Sequence, residues 1–372
     1  MSSALFSPIT LRNLTLKNRL VVSPMCQYIS ENGSANDWHL MHLGSFSIGG
    51  FGLVMTEATN VNAVGKITHK CATLCTDDNE AAMKRVIDFS KKFGVAAQGI
   101  QLAHAGRKGS TQPPALGGQP LKPEDGAWET VAPSAVPYGP GWHTPRALTK
   151  AEIQQIQEDH VASVKRALRV GYDLIEMHAG HGYLTHQFLS PISNRRTDEY
   201  GGSLENRMRF ALETFEAMRA AWPEDKPMGA RVSATDWVAG GWTPEETVVL
   251  AKELRKLGCD YVDVSSGGLD PEQRIPLAHG YQVHLSQKIR NEADIKTMSV
   301  GLIADAQQAE EIIKTGQADF VCMGRGAMWD PRFPWHAAEI FGDEAPYPPR
   351  STPCHPTLRP QLFPNRQKQD SK

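Results

Sequence analysis

The sequence predicts a single (β/α)8 TIM barrel. Eight short apolar runs recur along the chain, and each is followed by a loop and an amphipathic segment. No G-x-G-x-x-G follows the first run, which argues against the rival doubly wound open sheet.

Residues 8–17 (PITLRNLTLK) alternate like a small β-hairpin that could plug the barrel floor. Strands are expected at 20–26, 52–58, 95–102, 173–179, 228–234, 260–266, 297–303 and 319–324. Asp77 with Glu80, Thr149 with Glu152 and Asp305 with Gln308 have the spacing of a capping box. Thr243-Pro244 places a proline at a first helical position. After Thr149, the residues Ile153, Ile156, Val161, Val164 and Leu168 form a stripe suited to packing on a sheet. A long loop after strand three, 107–147, is rich in Gly and Pro and reads as a lid or binding wall. The barrel is expected over 1–340. The tail at 341–372 is expected to fray or to lie at a subunit interface.

The formal net charge of −2 and the lack of a long basic cluster argue against nucleic acid as a partner. The amino end has no signal-peptide pattern, and no apolar stretch reaches the ~18 residues of a membrane span. Cysteines at 26, 71, 75, 259, 322 and 354 are expected to be reduced thiols in a cytoplasmic protein. Cys71 and Cys75 alone are a weak metal signal, so no metal is expected.

Active sites of such barrels form where the strands end. Gly301, Gly324 and Arg325 at the ends of strands seven and eight suit a phosphate: glycine admits backbone N–H groups and the guanidinium adds a fork of donors. At the fourth strand, His-Ala-Gly-His-Gly-Tyr sets His178, His181 and Tyr183 at one end. Two imidazoles and a phenol can bind a substrate oxygen and deliver a proton. A zinc site would need a third ligand and an activating carboxylate, which H-x-x-H on a loop does not supply. Arg231 interrupts an apolar strand and needs an anion: an internal carboxylate (Glu57, Glu176 or Asp263), a bound anionic ring, or both.

These residues resemble the old yellow enzyme family of FMN-dependent ene-reductases. The motifs that carry the likeness are SPMCQY at 23–28, IQLAHAGRK at 100–108, HAGHGY at 178–183 and NRRTDEYGGSLENR at 194–207, the last read as mainly structural. Cys26 and Tyr28 look like the thermophilic-like, xenobiotic-reductase branch.

The resemblance implies an NADPH dehydrogenase or ene-reductase with non-covalent FMN, reduced by NADPH or NADH in a ping-pong cycle. Ser23, Pro24, Met25 and Ala58 would line FMN, and Gln101 and Arg231 would face its pyrimidine edge. Gly301, Gly324 and Arg325 would hold its phosphate, and Cys26 would sit near the ring's reactive centre. His178 and His181 would bind the carbonyl oxygen of an enone, enal, maleimide or quinone, and Tyr28 would help close the pocket. Tyr183 would give a proton to the α-carbon; a phenol of ordinary pKa near 10 is protonated at neutral pH.

Arg350 is the candidate for an arginine entering a neighbour's active site in a homodimer or homotetramer. A 2,4-dienoyl-CoA reductase is the runner-up, but it would need an iron–sulfur cysteine quartet. A flavin-free aldolase would need a strand-borne lysine, which none of the expected strands supplies. A non-catalytic binding barrel fits poorly with so many convergent polar side chains.

Overall fold

A computed structural model describes residues 3–354; the remainder of the expected tail, 355–372, lies outside the described residues. Eight strands close into a barrel in chain order: β1 (Leu20–Val22), β2 (Leu53–Asn60), β3 (Ala97–Ala103), β4 (Leu174–Ala179), β5 (Met228–Ser233), β6 (Tyr261–Ser265), β7 (Lys296–Ser299) and β8 (Phe320–Met323). Every neighbouring pair is parallel, and β8 closes on β1 through Val321–Leu20 and Met323–Val22. The principal helices are α1 (Asp37–Ser47), α2 (Asp77–Phe93), α3 (Lys150–Val170), α4 (Leu204–Ala221), α5 (Pro244–Lys256), α6 (Val283–Ala293), α7 (Ala306–Lys314) and α8 (Phe333–Phe341).

The caps explain most helix starts. Thr149 and Thr243 form full capping boxes with Glu152 and Glu246, and Pro244 opens α5. Asp305 accepts from the Gln308 N–H. At α2 the expectation is off by one residue: Thr76 is the cap and Asn79 completes the box. Thr76 keeps an extended backbone (φ −124°), whereas Asp77 is already helical and complements the dipole from the first turn.

Two strands, β1 and β7, end well before the sequence suggests, at Val22 and Ser299. After β1, the Ser23 N–H makes a last bond to Met323 O (3.0 Å), and Pro24 has no N–H to continue the ladder. After β7, Gly301 (φ 132°) and Leu302 (φ 54°) turn the chain away. β7 also begins one residue early, so a lysine, Lys296, does stand on a strand. It is exposed at the amino end of the barrel, remote from the strand ends where chemistry occurs.

The hairpin forms as expected from Ile9–Leu11 and Leu14–Leu16. Ile9, Leu11 and Leu16 pack against Leu53, Leu174, Tyr261 and Phe320, the first residues of alternate strands β2, β4, β6 and β8. This layer closes the floor. The tail's first residues also stay at that end: Trp335 Nε1 donates to Pro346 O (3.1 Å) beside Gly50, which precedes β2. The 194–207 loop is tied down by Asn194 Nδ2 bonds to Phe188 O and Tyr200 O (both 2.7 Å), and by an Arg196–Asp198 pair (2.6 Å).

Candidate active site

β4 delivers His178 as its penultimate residue, and the chain then turns sharply. His181 (φ 55°) and Gly182 (φ 73°) are left-handed. A Cβ on Gly182 would lie 2.1 Å from Gly268 O, so only glycine fits where this turn meets the one after β6. The turn gathers the three expected residues: His178 lies 5.1 Å from His181 and 5.2 Å from Tyr183, centroid to centroid.

The imidazoles form a directed chain. His178 Nδ1 accepts from Gly180 N (3.2 Å), which leaves the proton of the neutral ring on Nε2, facing His181 Nδ1 (3.3 Å). His181 then carries its proton on Nε2 and donates to Ser265 Oγ (2.7 Å). Burial foremost, and Arg231 next, hold both rings well below the ordinary histidine pKa, so both are neutral donors.

Cys26, Tyr28 and Tyr183 pack on one wall around Ile67, Cys71 and Ala105. Burial raises the Cys26 thiol and the Tyr28 and Tyr183 hydroxyls above their usual ranges, so each stays protonated. Tyr183 is therefore a weaker acid than the ordinary phenol expected from the sequence. Cys71 stays with Thr68 and Cys75 with Asn79, and among the described residues no cluster suits a metal.

Below this rim lies a buried polar layer. Gln101 Nε2 donates to Glu176 Oε1 (2.8 Å), and Arg231 pairs with Asp263 (2.9 Å). Asp263 is thus the internal anion for Arg231; Glu57 sits at a bulge between Thr56 and Ala58 and turns to His39 (3.2 Å). The pair does not satisfy the guanidinium: Nε and Nη1 of Arg231 make no directed hydrogen bond, and neither do Glu176 Oε2 and Ser23 Oγ.

Burial, then Asp263, raises the Glu176 carboxyl from 4.5 to about 8, while Arg231 opposes the rise. The folded chain therefore binds this proton more tightly than the unfolded chain does. That contribution to stability is full below about 4.5 and fades as pH rises through about 8. Urea unfolding of the apoprotein across this window is expected to show that decline, and Glu176→Gln is expected to flatten it. An unchanged slope would show that the carboxyl does not hold its proton there.

A cavity of about 250 Å³ runs from Arg231 past Ser265 and Cys322 to Gly301, Gly324 and Arg325. Gly324 caps the short helix Arg325–Trp329 without a side-chain acceptor, leaving the first N–H groups available. The channel suits an elongated molecule that is acceptor-rich near Arg231 and anionic near Arg325. Met25 packs beside Gly324, and Ala58 is buried in β2. Arg350 stands apart: it is exposed on the 3-10 helix Pro349–Cys354, four residues beyond Pro346 at the barrel's amino end.

Lys108 gave no signal beyond its place in a motif. Its Nζ donates to His181 O (2.8 Å) and Gly268 O (2.7 Å). The wall expected at 107–147 is anchored beside it, where Arg107 Nη2 donates to Leu269 O (2.8 Å). Ser265 is legible as a strand-end polar residue, but its place with Gln282 at the end of the imidazole chain is not, because the two converge from separate segments.

Residues 4–344 match the family model described as the NADH:flavin oxidoreductase / NADH oxidase family. The chain is 42% identical over 344 residues to an NADPH dehydrogenase of Geobacillus thermodenitrificans, covering 92% of this chain and 96% of that one. It superposes on morphinone reductase in complex with tetrahydroNAD with a TM-score of 0.75 and 28% identity, covering 93% of both chains. Against 2-naphthoyl-CoA reductase the TM-score is 0.81 at 26% identity over 91% of this chain, which spans about half (52%) of that longer chain.

Proposed function

The chain belongs to the NADH:flavin oxidoreductase / NADH oxidase family, and from that premise we propose that it reduces the activated C=C bond of α,β-unsaturated carbonyl compounds. It is an oxidoreductase of the old yellow enzyme family that uses FMN and NAD(P)H. The observation that carries the finer reading is the cluster of His178, His181 and Tyr183 at the rim above Arg231.

When bound, FMN supplies the hydride relay between nicotinamide and alkene. Arg231 and Gln101 would face its pyrimidine edge, where the guanidinium N–H groups left without partners would stabilise negative charge. Ser23, Pro24, Met25 and Ala58 would line it, Cys26 would stand near its reactive centre as a neutral thiol, and Gly301, Gly324 and Arg325 would hold the phosphate.

His178 and His181 donate to the substrate carbonyl oxygen, each exchanging its present acceptor for it. This polarises the alkene toward hydride at the β-carbon. Tyr183 then gives a proton to the α-carbon, and Tyr28 closes the pocket. With the floor sealed, nicotinamide and alkene use one mouth in turn, in a ping-pong cycle. Enones, enals, maleimides and quinones fit this chemistry.

On this reading the chain assembles into a homodimer or homotetramer, for which the adjacent exposed Met328 and Trp329 are candidate contact residues. In such an assembly the barrel over 1–340 is one unit, and the tail carries Arg350 toward a neighbour's site. Among the described residues no helix is long and apolar enough to cross a membrane.

The test is anaerobic. Enzyme reduced with NADPH and mixed with 2-cyclohexenone is expected to regain the oxidised flavin spectrum and release cyclohexanone. A spectrum that stays reduced with the enone, yet reoxidises with a quinone, would overturn alkene reduction as the reaction.

A further inference from the structure

Tyr183 poses a problem for proton transfer. Its hydroxyl is buried, and burial, with Cys26, Cys71 and Tyr138 nearby, raises its pKa well above 10. Giving up the proton leaves a phenolate where anions are poorly solvated. A neighbouring cation would offset that cost.

Lys108 is placed to do so. Two of its three N–H groups hold the carbonyls of His181 and Gly268, one from each turn that frames the rim. Its ammonium lies 5.2 Å from the centroid of the Tyr183 ring and 4.8 Å from that of Tyr138. A cation over an aromatic ring gains more when the ring bears negative charge.

We propose that Lys108 is the cationic positioning residue for Tyr183: its ammonium stabilises the phenolate that remains after Tyr183 protonates the substrate. This rests on the reading of Tyr183 as proton donor. In the step, the Tyr183 O–H bond breaks and its proton bonds to the α-carbon. The electron pair stays on the phenol oxygen until water reprotonates it.

The environment makes this assistance titratable. Burial, then Arg107, pushes Lys108 down to about 7. The groups facing it are Arg107 on its own 3-10 turn (Gly106–Lys108), Tyr138 from the long loop, and His178, His181 and Tyr183 from β4 and its turn. Asp270, beyond Gly268, acts on Arg107 and Tyr138. Both histidines are held neutral and both tyrosines are held protonated, so Lys108 is the member of this set that changes charge near neutrality. Assistance is complete below about pH 7 and is lost above it.

Lys108→Gln keeps N–H donors for the two carbonyls and removes the charge. Lys108→Arg keeps the charge throughout the working range. In single-turnover reoxidation by an enone, wild type is expected to slow as pH rises through about 7. Lys108→Gln should be about tenfold slower at pH 6 and lack the step, whereas Lys108→Arg should remain fast at pH 8. Reoxidation by a quinone, whose oxygens take protons from water, should be equal in all three.

Independently of turnover, pulsed reductive methylation of the apoprotein, read by mass spectrometry, should show Lys108 titrating near 7. Titration at the ordinary lysine value of about 10.4 would overturn the loss of assistance above pH 7 and leave the ammonium in place throughout. A Lys108→Gln enzyme with the rate and pH profile of wild type, while Tyr183→Phe is slow, would overturn the proposal. If Tyr183→Phe itself spares the enone reaction, the donor assignment fails and Lys108 loses its role with it.

Discussion

Changing Tyr183 to Phe is expected to slow reoxidation of the reduced enzyme by an enone by about 10²–10⁴-fold, the usual worth of a positioned general acid. Quinone reduction should be almost unaffected, because there the hydrogen goes to oxygen and water can supply it. The substitution removes one oxygen from the wall around Ile67, Cys71 and Ala105 and leaves the ring's packing on His178 in place. Stopped-flow reoxidation with the two acceptors separates chemistry from damage. Equal losses with both would remove the hydroxyl from the proton-donor role.

Arg231→Met is expected to act on both stability and cofactor binding. Asp263 loses its partner, and Glu176 loses the charge that opposes the rise in its pKa. Stranding a buried anion costs roughly 3–5 kcal/mol. Part of that cost disappears once the carboxyls take up protons. Burial already raises both, so the destabilisation should be smaller at pH 5 than at pH 8. Urea unfolding of the apoprotein at the two pH values tests this, and fluorimetric FMN titration tests the cofactor end. Equal destabilisation at both pH values, or unchanged FMN affinity, would refute the corresponding part.

Elements governed by local rules were legible in the sequence. Thr149–Glu152 and Thr243–Glu246 specify their helix starts within four residues, and the hairpin and eight apolar runs follow from periodicity. The clustering of His178, His181 and Tyr183 was legible because one turn carries all three.

What escaped depends on distant segments meeting. Asp263, not Glu57, partners Arg231 because β5 and β6 are in register at that pair, while a bulge in β2 swings Glu57 toward His39. Lys108 meets its acceptors 73 and 160 residues away in sequence. The shift of the α2 cap from Asp77 to Thr76 is a one-residue ambiguity that only backbone geometry resolves.

The hairpin beneath the barrel has an electrical consequence. The force that Arg231 exerts on a bound ring, and on Asp263 and Glu176, scales inversely with the dielectric constant around it. An open floor would admit a column of water to this layer and weaken those forces severalfold. Ile9, Leu11 and Leu16 act as an insulator, keeping the medium beneath the polar layer apolar and the charges there strong. On the proposed reading, a side chain such as Leu16, contributed by a strand outside the barrel, would thereby help to set the redox behaviour of the cofactor above it.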